Sequence, residues 1–327
     1  MRRIEFSIIV LTYNATLSAI LLTLQSLIEQ EFDRFEIIIA DDNSKEKYFT
    51  EIQNYFVDNN FERYKILDSI ENVGTVKNYI RGIQLAEGKY IKPIGAGDFL
   101  YDKTILDKLH TFLEKNNAVC GFGLMEAYWK DKQYNIYKSN FRAPISINPY
   151  LNNDLHEIKK SIVFQGDYIS GATLFGEKFF LLNYLTRIEG IVRFAEDIIQ
   201  ILILLDNEKI SFINEKIIFY EMGDGISTKK NGIKGKPLMN IDHEEFWKYV
   251  GNHYINKELL KRCDIQIKLL NENSKIKKNI LMIIKNRREF FNNQIRKMWR
   301  KNLKEKLSEG FLEKERFIDE VQKKANL

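Results

Sequence analysis

The stretch Phe35–Ser44, FEIIIADDNS, constrains the fold of this chain more than any other. Four apolar residues, Ile37 to Ala40, are too few for a helix, and their branching suits a strand buried on both faces. The run stops on Asp41 and Asp42, followed by Asn43 and Ser44, which favour a turn. Acids at the carboxyl end of such a strand project into the crevice where open α/β sheets bind their ligands. A second run, Phe6–Leu11 (FSIIVL), ends in the same way on Thr12, Tyr13 and Asn14. Between the two runs, Leu17, Ile20, Leu21, Leu24, Leu27 and Ile28 recur at helical spacing. Strand, helix and strand in that order form a right-handed parallel crossover, so Asn14 and Asp41 are expected on one sheet edge.

The alternation continues along the chain. We expect a helix over about 46–58, a strand over 64–67, a turn at Asn72-Val73-Gly74, and a helix over 75–86 closed by Gly88. The strand 90–94 runs into Gly95-Ala96-Gly97-Asp98, where an acid again stands at a strand end, after small residues that admit a ligand to the backbone. A helix over about 102–115 and a strand over 118–125 follow, and residues 126–165 show little periodicity. GDYISGATLF at 166–175 reads as a glycine-punctuated strand, 193–205 as a helix with Glu196 and Asp197 at its start, and 210–220 as a strand. The loop GDGIST at 223–228 precedes Lys229 and Lys230, and from Asp242 onward the pattern is helical. The fold class is therefore α/β, a mostly parallel sheet with flanking helices over 1–235, followed by a helical region over 236–327.

Composition excludes several classes. The apolar runs fall far below the roughly 20 residues of a membrane-spanning helix. Two cysteines, Cys120 and Cys263, and no apolar leader at Met1 fit a reducing, cytoplasmic setting without disulfides. The net charge of +5 is unevenly spread, because Lys275–Lys306 carries twelve Lys or Arg against Glu289 and Glu305, a balance of +10. The rest of the chain is thus about 5 units acidic, which points to a basic tail with a partner of its own.

Taken together, FSIIVLTYN, EIIIADDNS, the spaced set Asn72, Gly74, Lys77, Asn78, Gly82 and Ala86–Ile91, then AEDIIQILILL and GDGIST, resemble the inverting glycosyltransferases of family 2 over about residues 4–230. That resemblance implies the GT-A fold. It also implies that Thr12, Tyr13 and Asn14 border the nucleotide of a nucleotide-sugar donor. Asp42, or in its place Asp41, would accept a hydrogen bond from the base, as a carboxylate can from a uracil N–H, Lys77 would lie toward the diphosphate, and Gly97 would also border the nucleotide. The family usually carries acids at positions 95 and 97 that bind ribose and a divalent metal, Mn²⁺ or Mg²⁺. Here both are glycine, so the resemblance leaves Asp98 as metal ligand. Gly223 stands near where many members have a metal-binding histidine. Asp197, with Glu196 beside it, would be the base that deprotonates the acceptor hydroxyl, and Gly171 and Ala172 would shape the acceptor side.

The tail from Lys275 to Lys306 interleaves basic residues with apolar ones, Phe290, Phe291 and Trp299 among them. It reads either as a helical face packed on the body or as an attachment to an anionic membrane surface, where each cation contributes about 1 kcal/mol. No nucleic-acid motif accompanies the charge. The leading expectation is a cytoplasmic, membrane-peripheral enzyme that adds a sugar, from a UDP-sugar, to a glycan or lipid-linked glycan of the cell surface, alone or as a homo-oligomer. Two rivals are a non-catalytic GT-A subunit that stabilises a partner glycosyltransferase, and a membrane adaptor with no sugar chemistry.

Overall fold

A computed structural model describes residues 3–130, 136–222 and 238–300. The chain runs β1 (Phe6–Thr12), α1 (Leu17–Ile28), β2 (Phe35–Asp41), α2 (Phe49–Asp58), β3 (Tyr64–Leu67), α3 (Thr75–Leu85), β4 (Tyr90–Gly95), β5 (Phe99–Leu100) and α4 (Ile105–Lys115). There follow β6 (Cys120–Lys130), β7 (Ile136–Lys138), α5 (Asn148–Leu151), α6 (Leu155–Lys159), β8 (Leu174–Glu177), α7 (Lys178–Ile188), α8 (Ile199–Leu205) and β9 (Ser211–Glu221). Four helices close the described chain: α9 (Leu238–His253), α10 (Lys257–Asn271), α11 (Lys275–Lys285) and α12 (Arg287–Arg300). The sequence motif at 223–228, Lys229, Lys230 and the tail beyond Arg300 lie outside the described residues.

One sheet organises the molecule, in the order β3-β2-β1-β4-β8-β6-β9-β5, with β7 beside β6. Parallel pairing sets Thr12 opposite Asp41 and Leu11 opposite Gly95, so the three polar strand ends share one edge, as the crossover rule requires. Strand period two divides the core. Ile8, Val10, Ile37 and Ile39 face α1, α2 and α4, whereas Ile9, Ile38 and Ala40 face α3, α7 and α8. The helical C-terminal region joins that second layer, with Phe246, Trp247 and Val250 of α9 and Leu259 of α10 buried in it.

Several expectations from sequence are corrected. The segment 166–175 is not one strand: it forms no regular element to Ser170, makes a single 3₁₀ turn at Gly171–Thr173, and only then enters β8. The helix expected over 193–205 begins at Ile199, after a 3₁₀ turn at Glu196–Ile198, and Asp242 takes the backbone N–H groups of 193–195 ahead of it. The aperiodic 126–165 contains the end of β6, then β7, α5, α6 and a π-turn at Lys160–Phe164. Helix α7 falls where no element was expected.

α12 docks with its polar face inward. Asn286 and Asn292 donate to the carbonyls of Phe164 and Gln165, and Arg296 donates to the Gly166 carbonyl and to Asp167 (2.7 Å). Its neighbour α11 buries only Met282, and leaves Ile276, Ile280, Ile283 and Ile284 exposed.

Candidate active site

A cleft of about 590 Å³ opens along the carboxyl edge of the sheet. Its floor is the end of β1 and β4; one wall is the start of α3, and the other is the turn 170–172 with the loop 194–197. A smaller cavity of about 220 Å³, between Phe112, Tyr150 and Phe212, holds none of the expected site residues.

At the β1–β2 end, Thr12, Tyr13, Asn14 and Asp42 line the cleft. The two adjacent aspartates do different work. Asp41 is 1% exposed and its carboxylate accepts from Thr12 Oγ1 (2.8 Å), Ser44 N–H (2.8 Å) and Ser44 Oγ (2.6 Å). It ties the two strand ends together and does not line the cleft. Asp42 faces the cleft and accepts the backbone N–H groups of Val73 (2.7 Å) and Gly74 (2.9 Å). Burial raises its pKa; those two N–H groups and the nearby Arg193 charge work the other way. Lys77 stands outside: Thr75 and Asn78, three apart on α3, face the cleft, which turns the exposed Lys77 away. Asn78 donates to the Ala40 carbonyl (2.7 Å), while its Oδ1 is buried and has no partner among the described residues. It is an acceptor without a donor on the wall of the cleft.

At the far end Glu196 and Asp197 occupy a 3₁₀ turn, and both line the cleft. Gly171 N–H donates to Asp197 Oδ2 (3.3 Å), and a Cβ on Gly171 would stand 2.4 Å from Glu196 Oε1. Only glycine lets both carboxylates approach that backbone. Burial pushes both acids above the ordinary carboxylate range, and the Asp197 charge raises Glu196 further. Asp197, with the Gly171 N–H stabilising its anion, is the one that ionises first. Ala172 lines the same wall, and its carbonyl accepts from Lys92 Nζ (2.6 Å). Lys92 is wholly buried in β4, and burial pushes its amine down to about 7.

Residues 7–172, just over half of the chain, match the family described as glycosyl transferase family 2. The chain is a family 2 glycosyltransferase. Its fold is similar to a crystal structure of S. aureus TarS 1-349 in complex with UDP-GlcNAc, with a TM-score of 0.51 at 14% identity over 91% of this chain and 92% of that one. A second TarS structure from S. aureus aligns at a TM-score of 0.49 and 18% identity, over 88% of this chain and 44% of that one, so this chain spans less than half its length. No curated protein matches the chain. The fold is that of GT-A enzymes, as the sequence implied.

The glycosyltransferase departs from its family at the turn after β4. Gly97 has φ +103° and is buried; it donates to Thr23 Oγ1 (3.0 Å), its carbonyl accepts from Tyr128 (2.8 Å), and it does not itself line the cleft. Asp98 does, and its Oδ1 accepts the Glu221 N–H (2.9 Å). Among the described residues no three His, Cys, Asp or Glu gather to hold a metal. Carboxylate oxygen on Asp98 nevertheless suits a hard cation that takes its other ligands from substrate phosphates and water. The glycosyltransferase also uses residues that the sequence reading did not single out. Asp242 of α9 accepts from the N–H groups of Arg193 (3.1 Å), Phe194 (2.6 Å) and Ala195 (3.1 Å), and so fixes the loop that presents Glu196 and Asp197. Nothing in its local sequence marks it. A lysine inside the apolar strand YIKPIG was the available signal for Lys92.

Proposed function

We propose that this glycosyltransferase moves a sugar from a UDP-sugar to a hydroxyl of a glycan or lipid-linked glycan, with inversion, in the building of cell-surface polysaccharide. The observation that carries the reading is one cleft lined by the carboxylate of Asp42 at one end and by the acid pair Glu196–Asp197 at the other. The UDP-GlcNAc held by the S. aureus TarS fragment of like fold is consistent with a UDP-sugar donor.

Thr12, Tyr13, Asn14 and Asp42 hold the nucleoside, and Asn78 Oδ1 accepts a hydroxyl or N–H of the donor. Asp197 takes the acceptor's proton as the acceptor oxygen attacks carbon 1. The bond from carbon 1 to the diphosphate oxygen breaks with its electron pair left on UDP, and one displacement inverts the centre. Glu196, protonated, keeps a second negative charge away from the base. Gly171 and Ala172 border the acceptor. A divalent cation, Mn²⁺ or Mg²⁺, would be held at Asp98 and would neutralise charge on the departing diphosphate.

We assign the chemistry to residues 1–235 and attachment at the inner face of the cell membrane to residues 236–327. Among the described residues no helix is long and apolar enough to cross a membrane. What supports a peripheral attachment is the exposed apolar row of α11 set among Lys275, Lys277 and Lys285, with Phe291 of α12 beside Arg287 and Arg288. Trp299 is half-buried under the Arg142 guanidinium (4.8 Å). Flotation with phosphatidylglycerol vesicles tests this: the protein should rise with anionic vesicles and stay behind with neutral ones. Calorimetric titration with UDP, GDP and CMP tests the donor. UDP should bind and the other two should not, while silence with all three would remove the transferase reading of the cleft.

A further inference from the structure

The glycines at 95 and 97 leave room that other side chains enter. A Cβ on Gly97 would lie 2.6 Å from Glu221 Oε2, and a Cβ on Gly95 would lie 3.6 Å from Asp98 Oδ2. The topology explains the first contact. β5 pairs antiparallel with β9, Phe99 opposite Phe219, and two further steps along that register set Glu221, the last residue of β9, opposite Gly97. Glu221 N–H then donates to Asp98 Oδ1, which fixes the two residues relative to each other. Asp98 is 8% exposed, and its Oδ2 receives no hydrogen bond from the described residues although the residue lines the cleft. Glu221 lines the same part of the cleft. Two carboxylates, neither at position 95 nor at position 97, therefore converge on the space those positions vacate.

We propose that Glu221, reaching across from the end of β9, supplies the acidic ligand that position 97 lacks, so that Asp98 and Glu221 together hold the divalent cation of the donor diphosphate. The inference rests on the reading of the cleft as a nucleotide-sugar site. Two carboxylates are a small donor set for Mn²⁺ or Mg²⁺, whose remaining positions go to phosphate oxygens and water. The cation thus binds weakly to the protein alone and tightly once UDP is present, and by linkage Mn²⁺ strengthens UDP by the same factor.

The experiment is titration of the full chain with Mn²⁺, followed by the Mn²⁺ electron paramagnetic resonance signal and by calorimetry, with and without UDP. In the presence of UDP, Glu221→Gln and Asp98→Asn should each weaken Mn²⁺ binding about ten- to a hundredfold. UDP affinity measured in EDTA should stay within about twofold of the parent. Gly95→Asp, placed where its Cβ has ordinary contact with Asp98 Oδ2, should restore Mn²⁺ binding to Glu221→Gln, which separates a ligand from a merely structural residue. Should Glu221→Gln fail to fold, as judged by its melting curve, Asp98→Asn and Gly95→Asp on the parent chain carry the test: the first must lose and the second must gain Mn²⁺ affinity. UDP binding that ignores Mn²⁺, or Mn²⁺ binding untouched by Glu221→Gln, overturns the inference and leaves the UDP site standing. Absence of UDP binding under every condition overturns the nucleotide reading and the inference with it.

Discussion

Asp197 and Glu196 show how neighbouring groups divide one buried acid pair into two roles. Both carboxyls are raised by burial, but Asp197 has the Gly171 N–H on its anion, whereas Glu196 is raised further by the Asp197 charge. A base works when ionised, so activity should fall as pH drops through an apparent pKa above the ordinary carboxylate value, and should be flat toward neutrality. The pH profile of kcat/KM checks this: Glu196→Gln should keep that acid limb, because Glu196 is already neutral there. Asp197→Asn should lower kcat by about 10²–10⁴-fold while UDP binding by calorimetry is unchanged; retention of most activity would assign the base elsewhere. Gly171→Ala brings a Cβ to 2.4 Å from Glu196 Oε1, and is expected to lower kcat more than it raises the KM for donor. The identities of Asp42, Glu196 and Asp197 were legible in sequence because each follows or precedes a strongly patterned apolar run. That Asp41 is a tether and Asp42 a wall residue was not, since adjacent residues of one type differ only in which way the chain turns after β2.

At the level of elements, α3 and α9 decide what the cleft presents. The helical repeat puts Thr75 and Asn78 inside and Lys77 outside; a motif gives spacing along the chain, whereas facing depends on the phase of the helix against the sheet. α9 reaches back through Asp242 to hold three backbone N–H groups of the loop 193–195. Asp242→Ala orphans them and should destabilise the protein by about 3 kcal/mol in urea unfolding, given about 1–3 kcal/mol for each donor left unsatisfied. It should also reduce kcat while leaving UDP affinity nearly intact, since Asp42 and α3 are untouched; an equal loss of UDP binding would show collapse of the whole cleft. The helix starts at Ile199 rather than at Arg193, although Arg193 to Ile198 have no local feature that forbids helix. What holds the backbone of 193–195 is Asp242, a residue 47 or more positions later.

Across the whole molecule, the sheet order and the C-terminal helices make one body of what the sequence divides in two. Arg296 and Asp167 form an ion pair with side chains only 5% and 3% exposed, and Asp167 also accepts from the N–H groups of Ile145 and Ser146. Removing one partner of a buried pair typically costs about 3–5 kcal/mol. Arg296→Ala should fall near about 3 kcal/mol in chemical denaturation, because Asp167 keeps its two backbone donors; a change near zero would mean that α12 docks without the pair. Sequence by itself determined the alternation of strands and helices, the parallel core, and the polar strand ends on one edge, because period-two and period-3.6 burial and right-handed crossovers are set by local chemistry. Tertiary structure alone decided that Glu221 fills the space over Gly97, that Lys92 is sealed against the Ala172 carbonyl, and that α12 turns its polar face inward. Each of those depends on the pairing of segments distant in sequence, and that pairing is fixed by how the whole sheet closes rather than by any residue's neighbours.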